Sequence, residues 1–246
     1  MTPPTVDAAI GRIQLVDLSV EPDATLLRRA YTEILAPSFP PDQLDSFEVV
    51  TESDTVLVGV ATHDGSPVGA VVADPFDRVL LLSYLAVRPG IRGGGVGGAL
   101  LAHLLPAWRE RCGSDVVLAE VEDPRLHPAG EFGDPTARLR FYQRAGFGLL
   151  PVPFTQPRVR PDARREPGLL LAGWPMAGPV PAAMVRSFVT DYYRSAEGTG
   201  PGQDPELDAL LTAVEGQGPE LAPLTLDRYE QVPLLDVPTR RPGEQG

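Results

Sequence analysis

Between positions 92 and 98 the chain reads Arg92-Gly93-Gly94-Gly95-Val96-Gly97-Gly98, and the residues after it take on helical spacing. Each glycine would cost roughly 0.5–1 kcal/mol relative to alanine if this run only built helix. The junction therefore requires bare backbone. A helix N-terminus presents unpaired N–H groups and the positive end of a dipole, and residues without Cβ let a bulky anion such as a pyrophosphate come close.

The same letters satisfy Gly-x-Gly-x-x-Gly through Gly93, Gly95 and Gly98, with Glu120 about where a ribose-binding acid stands in a dinucleotide fold. Against that reading, Arg88-Pro89-Gly90-Ile91 separates the glycines from the preceding apolar run, hairpin-like strands come before it, and no second βαβ half follows. A Walker phosphate loop fails because no Gly-Lys-Ser/Thr is present. A glycine loop without any ligand stays open as a third reading.

Around this turn the pattern predicts alternating elements. Residues 11–20 alternate as a strand, and residues 23–35 carry Leu26, Leu27, Tyr31 and Leu35 at helical spacing until Pro37 and Pro40-Pro41. A weaker helix follows over residues 41–52. Two β-branched runs, 55–62 and 67–72, flank His63-Asp64-Gly65-Ser66 as a hairpin, and residues 79–87 form a long apolar strand. Val96, Leu100, Leu104 and Trp108 mark one face of the next helix, in which Pro106 predicts a kink or restart. A strand over 116–121, a helix over 136–145 closed by Gly146, and strands over 147–154 and 168–172 complete a mixed α/β fold with one parallel crossover. The expected division is a catalytic domain over 1–176 and a C-terminal segment over 177–246. In the latter, helices are predicted over 182–194 and 204–214, followed from about Glu215 by an extended or disordered Pro/Gly/acidic tail.

Composition narrows the partners. The formal charge of -12 would repel a nucleic-acid backbone, so nucleic acid is not expected. No window approaches the roughly 20 apolar residues of a membrane span, and Met1-Thr2-Pro3-Pro4 does not open a signal peptide, which predicts no membrane partner and a cytoplasmic protein. One cysteine, Cys112, excludes an internal disulfide, and His63, His103 and His127 lack metal-ligand spacing, so no metal is expected. All 21 basic residues are arginine. A homodimer is left open.

Two blocks carry a family resemblance. The segment through Val87, Pro89, Arg92, Gly95 and Gly97 resembles the coenzyme A motif of the GNAT acyltransferase superfamily, an apolar strand ending in Val-x-Pro before Arg-x-x-Gly-x-Gly. The segment Arg138-Leu139-Arg140-Phe141-Tyr142-Gln143-Arg144-Ala145-Gly146-Phe147 is similar to that family's Tyr-x-x-x-Gly-Phe helix. The resemblance covers residues 13–172. It implies a mixed central sheet with two splayed parallel strands and flanking helices, plus a helical or extended C-terminal segment. It also implies an acyl-coenzyme A co-substrate, by default acetyl, and a small-molecule amine. The backbone of Leu85, Ala86 and Val87 would meet the pantetheine arm. Arg92, with the amides of Gly93, Gly94, Gly95, Val96, Gly97 and Gly98, would hold the pyrophosphate, and Arg88, Arg138, Arg140 and Arg144 would add positive charge. The family's Asn before the second helix is missing from Gly133-Asp134-Pro135-Thr136.

An alkyl ammonium must lose a proton before it attacks a thioester, and the departing thiolate usually takes one up. Tyr142 matches the family's thiolate-protonating tyrosine. For the base, period-two alternation puts Glu120 and Glu122 on one strand face behind Val116 and Leu118, where partial desolvation would raise a carboxyl pKa. Glu120 is the first candidate. Glu122 and His127 follow it, and residues 31–39 and 123–135 are expected to line the acceptor site. The rival reading is a non-catalytic acyl-coenzyme A sensor, which requires Tyr142 and Glu120 to point away from the gap.

Overall fold

In the computed structural model, which describes residues 3–41, 43–52 and 55–235, apolar and alternating runs become the strands of one mixed sheet. β1 (Thr5–Ala8) and β2 (Gly11–Asp17) form an antiparallel hairpin, and β3 (Leu57–His63), β4 (Ser66–Phe76) and β5 (Val79–Val87) extend it. β6 (Val116–Glu122) is parallel to β5, joined through α3 (Val96–Cys112). Beyond β6 lie β8 (Glu166–Trp174) and the edge strand β7 (Gly148–Gln156), giving the order β1-β2-β3-β4-β5-β6-β8-β7. The expected fold class is the observed one. β1 went unanticipated because its four residues are largely exposed and short.

α3 runs unbroken through Pro106, so the expected restart does not occur. Pro106 lies on the exposed side of the helix, where the Ala102 carbonyl that loses its donor is open to water. The opposite side of α3 buries Leu100, Leu104 and Trp108 against the sheet, together with Leu139 of α4 (Pro135–Arg144). Gly59 is needed there, since a Cβ on it would come within 2.2 Å of Leu104 Cδ1.

The other sheet face carries two separate helical groups. α1 (Ala24–Ala30) starts on the Asp23 cap, continues into a π-helical turn over Tyr31–Leu35, and covers β3 to β5 together with α2 (Phe47–Glu52). α5 (Ala182–Glu197) and α6 (Pro205–Gly216) cover the neighbouring strands, packing Phe188, Leu207 and Leu211 on Leu81, Leu118, Leu150 and Leu171. The two groups meet over β5.

Pairing between β5 and β6 is brief. It joins Val79–Leu82 to Val116–Ala119, after which β5 has no strand partner on that side and Glu120–Glu122 pair only with β8. The cause is a bulge in β5. Leu82 opposes Ala73 and Tyr84 opposes Val72, so Ser83 is one residue too many for β4. A bulge bends its strand and increases local twist. It also resets the alternation: Leu80 and Leu82 face α3, Tyr84 and Ala86 turn to the α1 side, and Leu85 and Val87 return to the α3 side.

From about Glu215 the extended or disordered tail expected from the sequence is, as far as residue 235, fixed to the body. β10 (Glu220–Leu221) pairs with β9 (Val180–Pro181), and Leu149 and Leu224 exchange two main-chain hydrogen bonds of 2.7 and 2.8 Å. A 3-10 turn over Leu226–Gln231 rests against α4. Arg125, which also pairs with buried Asp123, donates to the carbonyls of Glu230 and Val232 at 3.0 Å each. Residues 236–246, also assigned to that tail, lie outside the described residues.

Because α5 and α6 share a core with four sheet strands, a chain ending at Met176 should leave Leu118, Leu150 and Leu171 uncovered and aggregate. Size-exclusion chromatography of the truncated chain checks this, and a monodisperse product with an unchanged melting temperature would contradict it.

Candidate active site

The glycine turn is shaped by two different needs. Gly93 and Gly95 have left-handed φ angles of 82° and 89°, conformations that cost other residues strain. A Cβ at Gly94 would press to 3.0 Å on the Ile91 carbonyl, and one at Gly97 would lie 3.3 Å from the Phe141 ring. The carbonyl of Gly94 accepts a hydrogen bond from Ala9 N at 2.9 Å, so the tip of the first hairpin pins the turn. The first intrahelical bond of α3 runs from Ala99 N to Gly95 O, leaving the N–H groups of Val96, Gly97 and Gly98 without a protein acceptor among the described residues. Substituents at Gly93, Gly95 and Gly98 would meet nothing within 4 Å. The turn thus combines unpaired donors with open space, which fits a phosphate group.

From this turn a cleft of about 790 Å³ runs along the unpaired part of β5 to the inner end of the splay, lined by Leu85, Ala86 and Val87, by Phe141 and Tyr142 of α4, and by Glu120. Arg92, Gly93, Gly95, Val96, Gly97 and Gly98 line it as well, whereas Gly94 is turned toward the hairpin. Of the residues expected around the acceptor, Ser38, Phe39, Phe132, Gly133 and Asp134 border the cleft. Where the family's Asn is missing, Asp134 caps α4, accepting from Thr136 N at 2.9 Å.

The arginines separate. Arg92, Arg138 and Arg144 line the cleft, Arg92 with a long contact of 3.4 Å to the Val87 carbonyl. Arg88 turns away to Glu33 at 3.1 Å and to the Pro67 carbonyl. Arg138 is paired with Glu122 at 2.7 Å, and Arg140 lies 3.9 Å from Asp134.

The two candidate carboxylates also separate. Glu120 is turned to the α5 side, where its Oε2 accepts from Gln156 Nε2 at 2.6 Å. The Tyr192 hydroxyl of α5 lies beside the same carboxylate, near enough to lower its pKa without closing a full hydrogen bond. Although the residue as a whole keeps some exposed surface, Oε1 is sealed from solvent with no hydrogen-bond partner. Loss of water dominates and pushes the carboxyl up to about 8, against the opposing bonds from Gln156 and Tyr192 and with a smaller rise from Asp45 and Asp74. Glu122, expected on the same strand face, instead reaches α4 to pair with Arg138. His127 is held by the Pro167 carbonyl at 3.0 Å and lies 3.7 Å from Glu166; His103 is exposed on α3.

Tyr142 is buried, with its ring edge-to-face on Phe147 at 4.9 Å and Phe141 at 5.3 Å. Among the described residues no protein group hydrogen-bonds its hydroxyl, and burial raises its pKa to about 12. Gln156, Tyr192, Asp45, Asp74 and Ser83 were not singled out from the sequence. The spacing of Met184, Phe188 and Tyr192 by four predicts only a buried helix face, and Tyr192 does stack on Phe188.

A family model described as the acetyltransferase (GNAT) family matches residues 24–147. Among solved structures, the chain is similar to the GNAT domain of S. lividans PAT, at 20% identity over 70% of this chain and 96% of that one, with a TM-score of 0.49. It is similar to the ribosomal-protein-S18-alanine N-acetyltransferase from Escherichia coli at 20% identity, over 65% and 92%, with a TM-score of 0.45. For the IAA acetyltransferase from Bacillus cereus the values are 15%, 65% and 97%, and 0.44. Among curated proteins no sequence matches significantly.

The Glu120 carboxyl binds its proton more tightly in the folded chain than at the ordinary value of 4.5. The stability it contributes is therefore full below about 4.5 and lost as pH rises through about 8. Glu120→Gln removes this dependence, so between pH 5 and 9 the variant should gain stability relative to the parent, on the order of a few kcal/mol at about 1.4 kcal/mol per pKa unit. Denaturant unfolding of both proteins at the two pH values measures it; a constant difference would show that Glu120 titrates normally.

Proposed function

The chain belongs to the acetyltransferase (GNAT) family, and we propose that it transfers an acyl group, acetyl by default, from acyl-coenzyme A to a small amine by direct attack in a ternary complex. The observation that carries this reading is the enclosed, partnerless Oε1 of Glu120 at the inner end of the same cleft whose outer end presents unpaired N–H groups.

The pyrophosphate of the co-substrate fits the amides of the glycine turn, with Arg92 and Arg144 beside it. The pantetheine arm fits the main chain from Leu85 to Val87, which can hydrogen-bond it as a missing strand would. The thioester then lies where β5 and β6 part, between Tyr142 and Glu120. An ammonium group reaching this point gives one proton to Glu120, directly or through a water. A carboxylate with a pKa near 8 suits this step, being basic enough to accept the proton and partly ionised at neutral pH. The amine lone pair attacks the thioester carbonyl carbon, the C–S bond breaks as the tetrahedral centre collapses, and the sulfur leaves with the electron pair. Tyr142, held fully protonated by burial, supplies the proton to that thiolate, whose charge the same surroundings disfavour. The sensor alternative requires both residues to point away from the gap, and both line it.

A thiol-release assay of acetyl-coenzyme A against a panel of amines tests the reading. With an accepted amine, kcat/KM should rise with one ionisation near pH 8, Glu120→Gln should lower it by roughly 10²–10⁴-fold, and Tyr142→Phe should lower kcat while leaving acetyl-coenzyme A binding unchanged. Tight acetyl-coenzyme A binding with no amine acylated would rule out catalysis and leave the fold assignment standing.

A further inference from the structure

Beside the inner end of the cleft, which Glu120 lines and Asp74 and Asp45 do not, stand more carboxylates than one base requires. On the sheet face between the two helical groups, Glu120 is joined by Asp74 of β4 and by Asp45, which precedes α2; both are within electrostatic reach of it and raise its pKa. Asp74 accepts from Ser83 Oγ at 2.5 Å, and Ser83 lines the cleft. Asp45 accepts from Tyr84 Oη at 2.9 Å, and its main-chain carbonyl accepts from Tyr31 Oη at 2.8 Å. Withdrawal from water raises both aspartates, Asp74 to about 6.

What this group lacks is cations. Among the described residues none of the three carboxylates has an ion-pair partner within 4 Å, although fourteen Arg–carboxylate contacts of that kind are present. The other charged or titratable groups that face the cluster are Tyr84, Tyr31, Tyr192 and Arg160 of the β7–β8 connection. Arg160 acts on Asp45 from a distance; its own Nε is enclosed without a hydrogen bond and lies 3.6 Å from Asp162. Three carboxylates against one guanidinium leave two negative charges when all are ionised. Desolvated carboxylates without an ion-pair partner are costly, and all three bind their protons more tightly than in water. No group of three His, Cys, Asp or Glu among the described residues is close enough to hold a metal ion, whereas an organic cation with more than one nitrogen can reach carboxylates that stand apart. The unpartnered Oε1 of Glu120 leaves an acceptor open for one of its nitrogens.

We propose that the acceptor is a small amine with two cationic nitrogens, one delivered to Glu120 and the other held by Asp74 and Asp45. This deepens the acyl-transfer reading and rests on it. β4 and β6 are separated by one strand, and Glu120 lies two residues beyond Leu118, which stands across from Asp74 through Leu81, so the two anchor points are about 12 Å apart at the main chain and closer at the carboxylates. A compact diamine bridges them. A monoamine of equal length fills the same space but leaves Asp74 and Asp45 without a counter-ion.

The experiment compares 1,4-diaminobutane with n-butylamine, by acetyl-coenzyme A turnover and by calorimetric binding in the presence of coenzyme A, for the parent, Asp74→Asn and Asp45→Asn. The diamine should be preferred, and each variant should lower its kcat/KM and affinity by roughly 10–100-fold, the range for a charged hydrogen bond, while n-butylamine changes less than about threefold. Loss on both amines alike, or equal use of both by the parent, overturns the proposal and leaves acyl transfer intact. Diamine binding that depends on Asp74 and Asp45 without any turnover supports the site and overturns the acyl-transfer reading instead. Neither binding nor turnover overturns both. Two isosteric variants at separate positions guard against a fold defect in one of them, which the melting temperature detects.

Discussion

Everything in this cleft depends on β5 and β6 ceasing to pair after Leu82 and Ala119. Had the parallel ladder continued, the main-chain groups of residues 83–87 and the side chain of Glu120 would be closed against each other, and the glycine turn would lead nowhere. One inserted residue, Ser83, prevents this. The bulge bends β5 away from β6, and by resetting the alternation it turns Tyr84 toward Asp45 while returning Leu85 and Val87 to the α3 side. A single change of register thus opens the gap and assembles the polar group at its end. The strands themselves stay anchored by buried Leu80, Leu81, Val117 and Leu118, so the splay is held by packing and needs no ligand to open it.

The cleft is divided electrically along its length. At the outer end a helix N-terminus with Arg92 and Arg144 favours phosphate; at the inner end Glu120, with Asp74 and Asp45 in electrostatic reach behind the lining, favours a cation. A formal charge of -12 describes neither end, because what a bound group feels is the local arrangement with little water to screen it. Such a division would let the proposed polyanionic co-substrate and cationic acceptor share one cavity without competing for the same charges. It also accounts for the spent arginines. Arg88 and Arg138 are neutralised by Glu33 and Glu122, which leaves backbone dipoles together with Arg92 and Arg144 at the mouth.

The glycine turn was legible in the sequence because glycine is the residue for which backbone need and side-chain identity coincide, and Gly93 and Gly95 do require left-handed φ. Glu120 was legible from period-two alternation behind Val116 and Leu118. The same alternation misassigned Glu122, because at the frayed end of β6 a long side chain can reach Arg138 on the other layer. The bulge was hidden: Leu82, Ser83 and Tyr84 read as part of one continuous strand, and nothing local marks the extra residue until β4 is laid beside it. Gln156 and Tyr192 were hidden for a related reason. They lie 36 and 72 positions beyond Glu120, so their role exists only once β7 and α5 are packed, and a polar strand end or a tyrosine on an apolar helix face has an ordinary structural meaning by itself.

Those two residues bear on what the C-terminal quarter contributes. The family match ends at residue 147, yet the surroundings of the candidate base come from residues 156 and 192. Burial is the first cause of the raised Glu120 pKa, and α5, stacked through Phe188 and Tyr192 onto Phe76, forms much of the cover over that face. Gln156 and Tyr192 then act in the opposite direction, stabilising the charged form enough that the carboxyl titrates close to neutrality. Both effects act on the same carboxyl: without the cover it would be a solvated, weakly basic carboxylate, and without Gln156 and Tyr192 its pKa would stand higher still. The strands that part at Ser83 create the place for a base, and the segment beyond the matched family sets how basic that place is.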